Sequence, residues 1–252
     1  MRITLRGEQR LFFTSDTHYA HTNLCTGTTK WGPGNRTRDF KTLSQMNDAI
    51  VNSINSVVGQ DDILIHLGDW SFGGIDKIWE FRKRIICKNI YLFLGNHDEH
   101  IKLNKVLPNV WSDENGILQD GPNPNRYGDD RDRMFDINAK DIFVEVEKLD
   151  DLEIVIPRDR TDSTQTKDKT IQFIACHFPI ASWERMGRGV MHIHGHVHLP
   201  PNQKISAGKA MDVGMDGNHL APYPLQEVVR TLRDQPIKCL VLPGDHHEKE
   251  GR

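Results

Sequence analysis

Apolar runs of five or six residues recur along this chain, and five of them end on side chains suited to holding cations or moving protons. Residues 11–15 run into Asp16 and His18, and residues 63–67 into Gly68 and Asp69. Residues 90–94 run into Gly95, Asn96, His97 and Asp98; residues 171–176 into His177; residues 190–194 into Gly195, His196 and His198. A short apolar run bounded by turn residues reads as a buried strand. Between the first three runs the spacing changes. Leu43, Met46, Ile50, Ile54 and Val57 recur at helical intervals, as do Ile75, Ile78, Trp79, Ile85 and Ile86. Gly59 is expected to close the first helix in the left-handed conformation. Strand–helix–strand order predicts parallel strands with covering helices. In such sheets ligands gather outside the carboxyl ends of the strands, where these residues stand.

The second half reads differently. Residues 142–146, 152–156 and 171–176 look like strands with no helix between them, so antiparallel pairing is expected. Residues 224–232 suggest a late helix and 237–242 a closing strand. The stretches near 119–133 and 157–170 are polar and rich in turn formers, and read as loop insertions in one domain spanning 1–252. The length suffices for a sizeable core.

Composition narrows the partners. The formal net charge is −3, so the chain as a whole has no electrostatic pull toward nucleic acid or an anionic membrane. There is no apolar run of ~18 residues to span a membrane, and the N-terminal residues lack the apolar stretch of a signal peptide. Cys25, Cys87, Cys176 and Cys239 are far apart and form no CxxC pair, as expected of reduced thiols in a cytoplasm-like compartment.

The chemistry lies in the strand ends. In Asp16-Thr17-His18 and His196-Val197-His198, side chains at i and i+2 of an extended segment point the same way, so each pair can grip one side of a metal centre. Gly68 and Gly95 lack a Cβ, which lets the backbone turn sharply and approach an anion. Carboxylate, carboxamide and imidazole together suit Mn, Fe(II), Co, Ni or Zn better than Ca or Mg. No cysteine is among the candidates, against a structural zinc knot. A lone DxH or GD says little, since both occur in plain turns. The ordered set at five strand ends is far more specific.

That set resembles the signature of the calcineurin-like metallophosphoesterases: DxH, GD, GNHD, a single His, then GHxH. Here it stands as Asp16-Thr17-His18, Gly68-Asp69, Gly95-Asn96-His97-Asp98, His177 and Gly195-His196-Val197-His198. The segment FFTSDTHYAHTN and the Arg-Asp-Phe ahead of the first helix resemble the small bacterial and phage branch. The resemblance implies an α/β (α+β) four-layer sandwich of two mixed β-sheets flanked by helices. It also implies two divalent ions, with Mn favoured. Asp16, His18 and His198 would hold the first, Asn96, His177 and His196 the second, and Asp69 would bridge them. A hydroxide shared by the ions would attack phosphorus. His97 would contact the phosphate or protonate the leaving group, with Asp98 tuning it.

Other residues carry weaker readings. His21, Arg36 and Arg38 are candidates for binding substrate, with solvated surface arginines as the competing reading. Trp31, Trp70, Tyr127 and Trp183 could stack on a base or serve as core. His192 and His194 suit packed or supporting roles. The expected substrate is a small phosphorylated molecule of nucleotide type, cleaved as a monoester or diester. A nuclease is the alternative, disfavoured by the acidic balance; a non-catalytic scaffold would be expected to have lost ligands that this chain keeps.

Overall fold

The computed structural model describes residues 1–25, 38–113, 116–122, 136–159, 161, 164–199, 203 and 208–237. Among the sequence candidates, Arg36, Trp31, Tyr127, Cys239 and most of the closing strand at 237–242 lie outside the described residues.

In chain order the strands and helices are β1 (Arg2–Thr4), β2 (Leu11–Thr14), α1 (Thr22–Cys25), α2 (Leu43–Val57), β3 (Ile63–His66), α3 (Ile75–Arg82), β4 (Asn89–Phe93) and α4 (Glu99–Lys102). They continue with β5 (Val106–Ser112), β6 (Leu118–Asp120), β7 (Asp136–Asn138), β8 (Glu145–Glu147), β9 (Leu149–Ile156), β10 (Lys169–Cys176), β11 (Met191–His194), β12 (Ala210–Asp212), β13 (Tyr223–Pro224) and α5 (Leu225–Arg233). One sheet has the order β13-β2-β3-β4-β8 and the other β1-β9-β10-β11-β12; β6-β5-β7 form a small third sheet.

The first sheet follows from the strand–helix pattern. β2, β3, β4 and β8 pair in parallel, and β13 adds an antiparallel edge. Their apolar runs are buried on both faces, as parallel strands require. Leu11, Phe13, Ile63, Ile65 and Phe93 face the second sheet, where they meet Leu152, Ile154, Phe173, Ala175 and Ile193. Phe12, Leu64, Ile90 and Leu92 face outward, against Met46, Ile50 and Ile54 of α2 and Ile78 and Phe81 of α3. The outer face of the second sheet is covered by Trp183 and Val190, with Ile180 and Met186 alongside. This is an α/β sandwich of mixed sheets.

Several local expectations need correction. Helix α2 starts where Thr42 accepts a hydrogen bond from the Gln45 N–H at 3.2 Å. It does not end in a left-handed glycine. Val58 turns extended, and Gly59 donates its N–H to Asp62 Oδ2 at 2.8 Å. Ile85 and Ile86 lie past the end of α3, and Ile86 is exposed. Residues 142–146 are not one strand: Ile142 and Phe143 sit in a buried turn, and pairing begins at Glu145, parallel to β4. Antiparallel pairing holds for β9 with β10, but β10–β11 and β11–β12 are parallel. Short strands β1, β5, β6, β7, β12 and β13 had no strong apolar signal, because each is three residues or fewer or has mostly exposed side chains.

Candidate metal centre

The loops after β2, β3, β4, β10 and β11 meet at one edge of the sandwich, and their backbones are tied together before any side chain acts. Asp16 donates its N–H to Gly68 O and His18 to Asp69 O, each at 2.9 Å; Gly195 donates to His177 O at 2.9 Å. A Cβ on Gly95 would collide with Asp69, and one on Gly68 with Gly95 and the His177 ring. These glycines therefore allow loop to pack on loop. That differs from the expected approach to an anion.

The ligand pairs do not converge by strand alternation. Asp16 (φ 58°), His18 (φ 44°), Asp69 (φ 57°), His196 (φ 74°) and His198 (φ 48°) all adopt left-handed backbone. Non-glycine residues rarely do so, and when they cluster the cause is commonly functional. Here the tight turns, not an extended i, i+2 pattern, bring the side chains together.

Each aspartate spends one oxygen on backbone and aims the other inward. Asp16 Oδ2 accepts the His196 N–H at 2.9 Å. Its Oδ1 is buried without a hydrogen-bond partner and lies 3.6 Å from His198 Nε2 and 3.8 Å from His18 Nε2. Asp69 Oδ1 accepts the His97 N–H at 2.8 Å. Its Oδ2 lies 3.3 Å from His18 Nε2 and 3.4 Å from His177 Nε2. Asn96 Oδ1 lies 3.1 Å from His177 Nε2, and the Nε2 atoms of His18 and His198 are 3.1 Å apart. Among the described residues, three groups have the compactness of cation sites: Asp16-His18-His198, His18-Asp69-His97 and Asp69-His177-His196. Asp69 belongs to two of them.

The imidazoles are set up to ligate through Nε2. His177 Nδ1 donates to Leu67 O at 2.7 Å, and His198 Nδ1 to Asp216 Oδ2 at 2.7 Å. Such partners fix the tautomer and strengthen a ligand. Burial, with His198 and Arg38 nearby, holds His18 well below the ordinary histidine range, so it is neutral. At His177 burial acts downward, but Asp69 and Asp16 outweigh it and push the ring up to about 9. At His198 burial likewise acts downward, and Asp16 and Asp216 raise the ring against it. A buried carboxylate oxygen that has no hydrogen-bond partner among the described residues and faces two imidazole Nε2 atoms fits divalent metal ions.

The Asp98 carboxylate is engaged with backbone N–H groups: it accepts those of Asp69, Gly95 and Trp70 at 2.8, 2.8 and 2.9 Å, binding the GD loop to the GNHD loop. Burial pushes it up to about 6 against the pull of those donors. His97 itself is exposed, with its ring centroid 5.3 Å from that of His18.

Arg38 is not a surface arginine poised for substrate. It is 3% exposed and pairs with Asp216 through Nε at 2.9 Å and Nη2 at 2.8 Å. It also donates to the carbonyls of Asp16 and Thr17. The chain Arg38–Asp216–His198 therefore braces the first cluster. Replacing Arg38 with Ala strands a buried carboxylate, which typically costs ~3–5 kcal/mol. Urea unfolding of metal-free Arg38→Ala is expected to show a loss of that size. An unchanged midpoint with weakened phosphate binding would return Arg38 to a substrate role.

His21 lies against the site, with Nδ1 3.4 Å from His18 Nδ1 and its ring stacked on Phe72. Trp70 and Trp183 are core, at 0% and 7% exposure. His192 and His194 are buried, with His192 held between Ile174 O and the Ile180 N–H.

The sequence reading missed Asp216 and His66. His66 is fully buried, accepts the Gly68 N–H at 3.1 Å and meets Thr17 Oγ1 at 2.9 Å; burial pulls it down to about 3. Asp216 lies in the turn Met215–Asn218 beyond the three-residue strand β12, where no apolar run marks a strand end.

A sandwich with clustered His and Asp where the loops after its strands meet fits a metal-dependent phosphoesterase. The chain matches the calcineurin-like phosphoesterases over residues 9–200, and it belongs to that family. No curated protein matches it. Among solved structures it is similar to a protein of unknown function from Aquifex aeolicus, at 16% identity and a TM-score of 0.47, covering 89% of this chain and 100% of that one.

Proposed function

We propose that this chain hydrolyses a phosphate ester of a small, nucleotide-type substrate with two divalent ions, of which Mn is favoured. The observation that carries the reading is Asp69 Oδ2, set between His18 Nε2 at 3.3 Å and His177 Nε2 at 3.4 Å. One oxygen facing both clusters is the geometry of a bridging ligand. Asp16, His18 and His198 would hold one ion, and Asn96, His177 and His196 the other. When bound, the pair supplies Lewis acidity to the phosphoryl oxygens and to the attacking water.

The chain's own residues do the rest. The buried carboxylates Asp16 and Asp69 set the charge of the site. Asp98 fixes the spacing of the two loops that carry Asp69 and Asn96. His97, exposed beside His18, is placed to donate to the phosphate or to the departing oxygen. Three cysteines, Cys25, Cys87 and Cys176, are free and buried, which supports a reducing, cytoplasm-like compartment. Among the described residues, no helix is long and apolar enough to cross a membrane.

Elemental analysis after Mn loading tests the centre. About two ions per chain are expected, with hydrolysis of a nitrophenyl phosphodiester rising as they bind. A stoichiometry below one, with no gain in activity, would sink the dinuclear reading.

A further inference from the structure

An aromatic ring stands exposed at one end of the metal centre, and the reaction as described gives it no task. Phe72 follows the Gly68-Asp69 loop by three residues and is 38% exposed. His21 stacks against it, centroids 3.9 Å apart and planes 13° from parallel. His97 meets it edge-on at 5.2 Å and 71°, and lies 5.3 Å from His18. His97 thus stands between the ligand cluster and Phe72. On that side is a cavity of about 190 Å³, lined by Ser71, Phe72, Gly73, Gly74, His97 and His100. Gly73 and Gly74, at φ 94° and 119°, add no side chain of their own to the wall beside Phe72, and Ile78, Asp98, Glu99 and Ile101 complete the lining.

We propose that Phe72, backed by His21, is a stacking platform for a flat heteroaromatic group carried by the phosphate ester, and so determines which esters are preferred. The inference rests on the phosphoesterase reading above. A phosphate at the ions would lie next to His97, and the remainder of the molecule would extend over His97 toward Phe72. An exposed phenyl ring held by a parallel ring is already ordered, so stacking on it costs little side-chain entropy. Among the described residues, Phe178 is the other exposed aromatic at the site, at 41%. It meets His177 and His196 edge-on, at 82° and 62°, and among the described residues no ring lies parallel to it.

The test is calorimetric titration of the Mn-loaded protein with adenosine 5′-monophosphate, ribose 5-phosphate and inorganic phosphate. The first carries adenine where the second carries its anomeric hydroxyl, so their affinity ratio reports on the platform, and any general change in phosphate affinity cancels. The wild type is expected to prefer the adenosine compound by about 5- to 150-fold, the range that base–aromatic stacking supplies. Phe72→Ala and Phe72→Leu should bring the ratio toward unity, and Phe72→Tyr should keep it. Circular dichroism confirms that each variant is folded. A ratio near unity in the wild type, or one that survives Phe72→Ala, overturns the platform while leaving the metal centre intact. A ratio that collapses in Phe178→Ala instead assigns the platform elsewhere and overturns the proposal. Failure of the Mn-loaded protein to bind inorganic phosphate at all overturns the underlying reading, and this inference with it.

Discussion

Asp69→Asn is expected to lower turnover by about 10³-fold, since charge stabilisation by bound metal is worth several kcal/mol and each 1.36 kcal/mol is a factor of ten. The reason is positional. Asp69 Oδ2 faces His18 on one side and His177 on the other, so removing its charge weakens both clusters together. The amide would also have to present a donor or an acceptor toward the imidazoles, where the carboxylate presents only acceptors. Metal content should fall toward one ion or none. Asn96→Ala, which touches one cluster, should cost less of both metal and rate. Asp69→Asn with near-normal turnover and two ions per chain would remove the bridge from the mechanism.

His97→Ala separates binding from chemistry. Its backbone N–H holds Asp69 Oδ1 at 2.8 Å, and alanine keeps that bond. The exposed imidazole is lost. General acid catalysis is typically worth ~10²–10⁴-fold, so turnover should drop on that scale with metal content and fold retained. The loss should be smaller for a nitrophenyl ester than for an alkyl ester, because nitrophenolate departs without a proton. Equal losses on both esters would identify His97 as a charge stabiliser. Loss of an ion would place His97 among the ligands, a possibility the compact His18-Asp69-His97 group makes concrete.

What could be read from the chain followed from what is written locally. Runs such as 63–67 are largely apolar, and with the helical spacing between them they specify buried parallel strands. The residues after them were legible as candidate ligands for the same reason: a strand end in such a sheet has an address in space. Asp98 and Arg38 show the limit. From sequence, Asp98 reads as orienting or tuning His97, and Arg38 as a substrate contact or a solvated surface arginine. In the fold the first holds three backbone N–H groups and the second is buried against Asp216. A carboxylate that collects three backbone N–H groups looks, in sequence, like one that tunes a histidine. Arg38 finds Asp216 178 positions away, a pairing no local pattern encodes. Of the aromatics read as base-stacking or core, Trp70 and Trp183 are core. Phe72, two residues past Trp70, is exposed, because the loop turns between them.

The left-handed backbone at Asp16, His18, Asp69, His196 and His198 bears on attempts to transplant this centre. For an L-residue that conformation costs roughly 1–2 kcal/mol, and here the surrounding loops impose it five times over. A designer who copied the ligand side chains onto regular strands of another scaffold would reproduce their identities and lose their aim. In a scaffold without the Asp98 clamp and the backbone bonds from Asp16 to Gly68, His18 to Asp69 and Gly195 to His177, those torsions would lose their support, and each side chain would relax away from its neighbours. The transferable unit is the set of interlocked turns, with the aspartates and histidines as passengers on it.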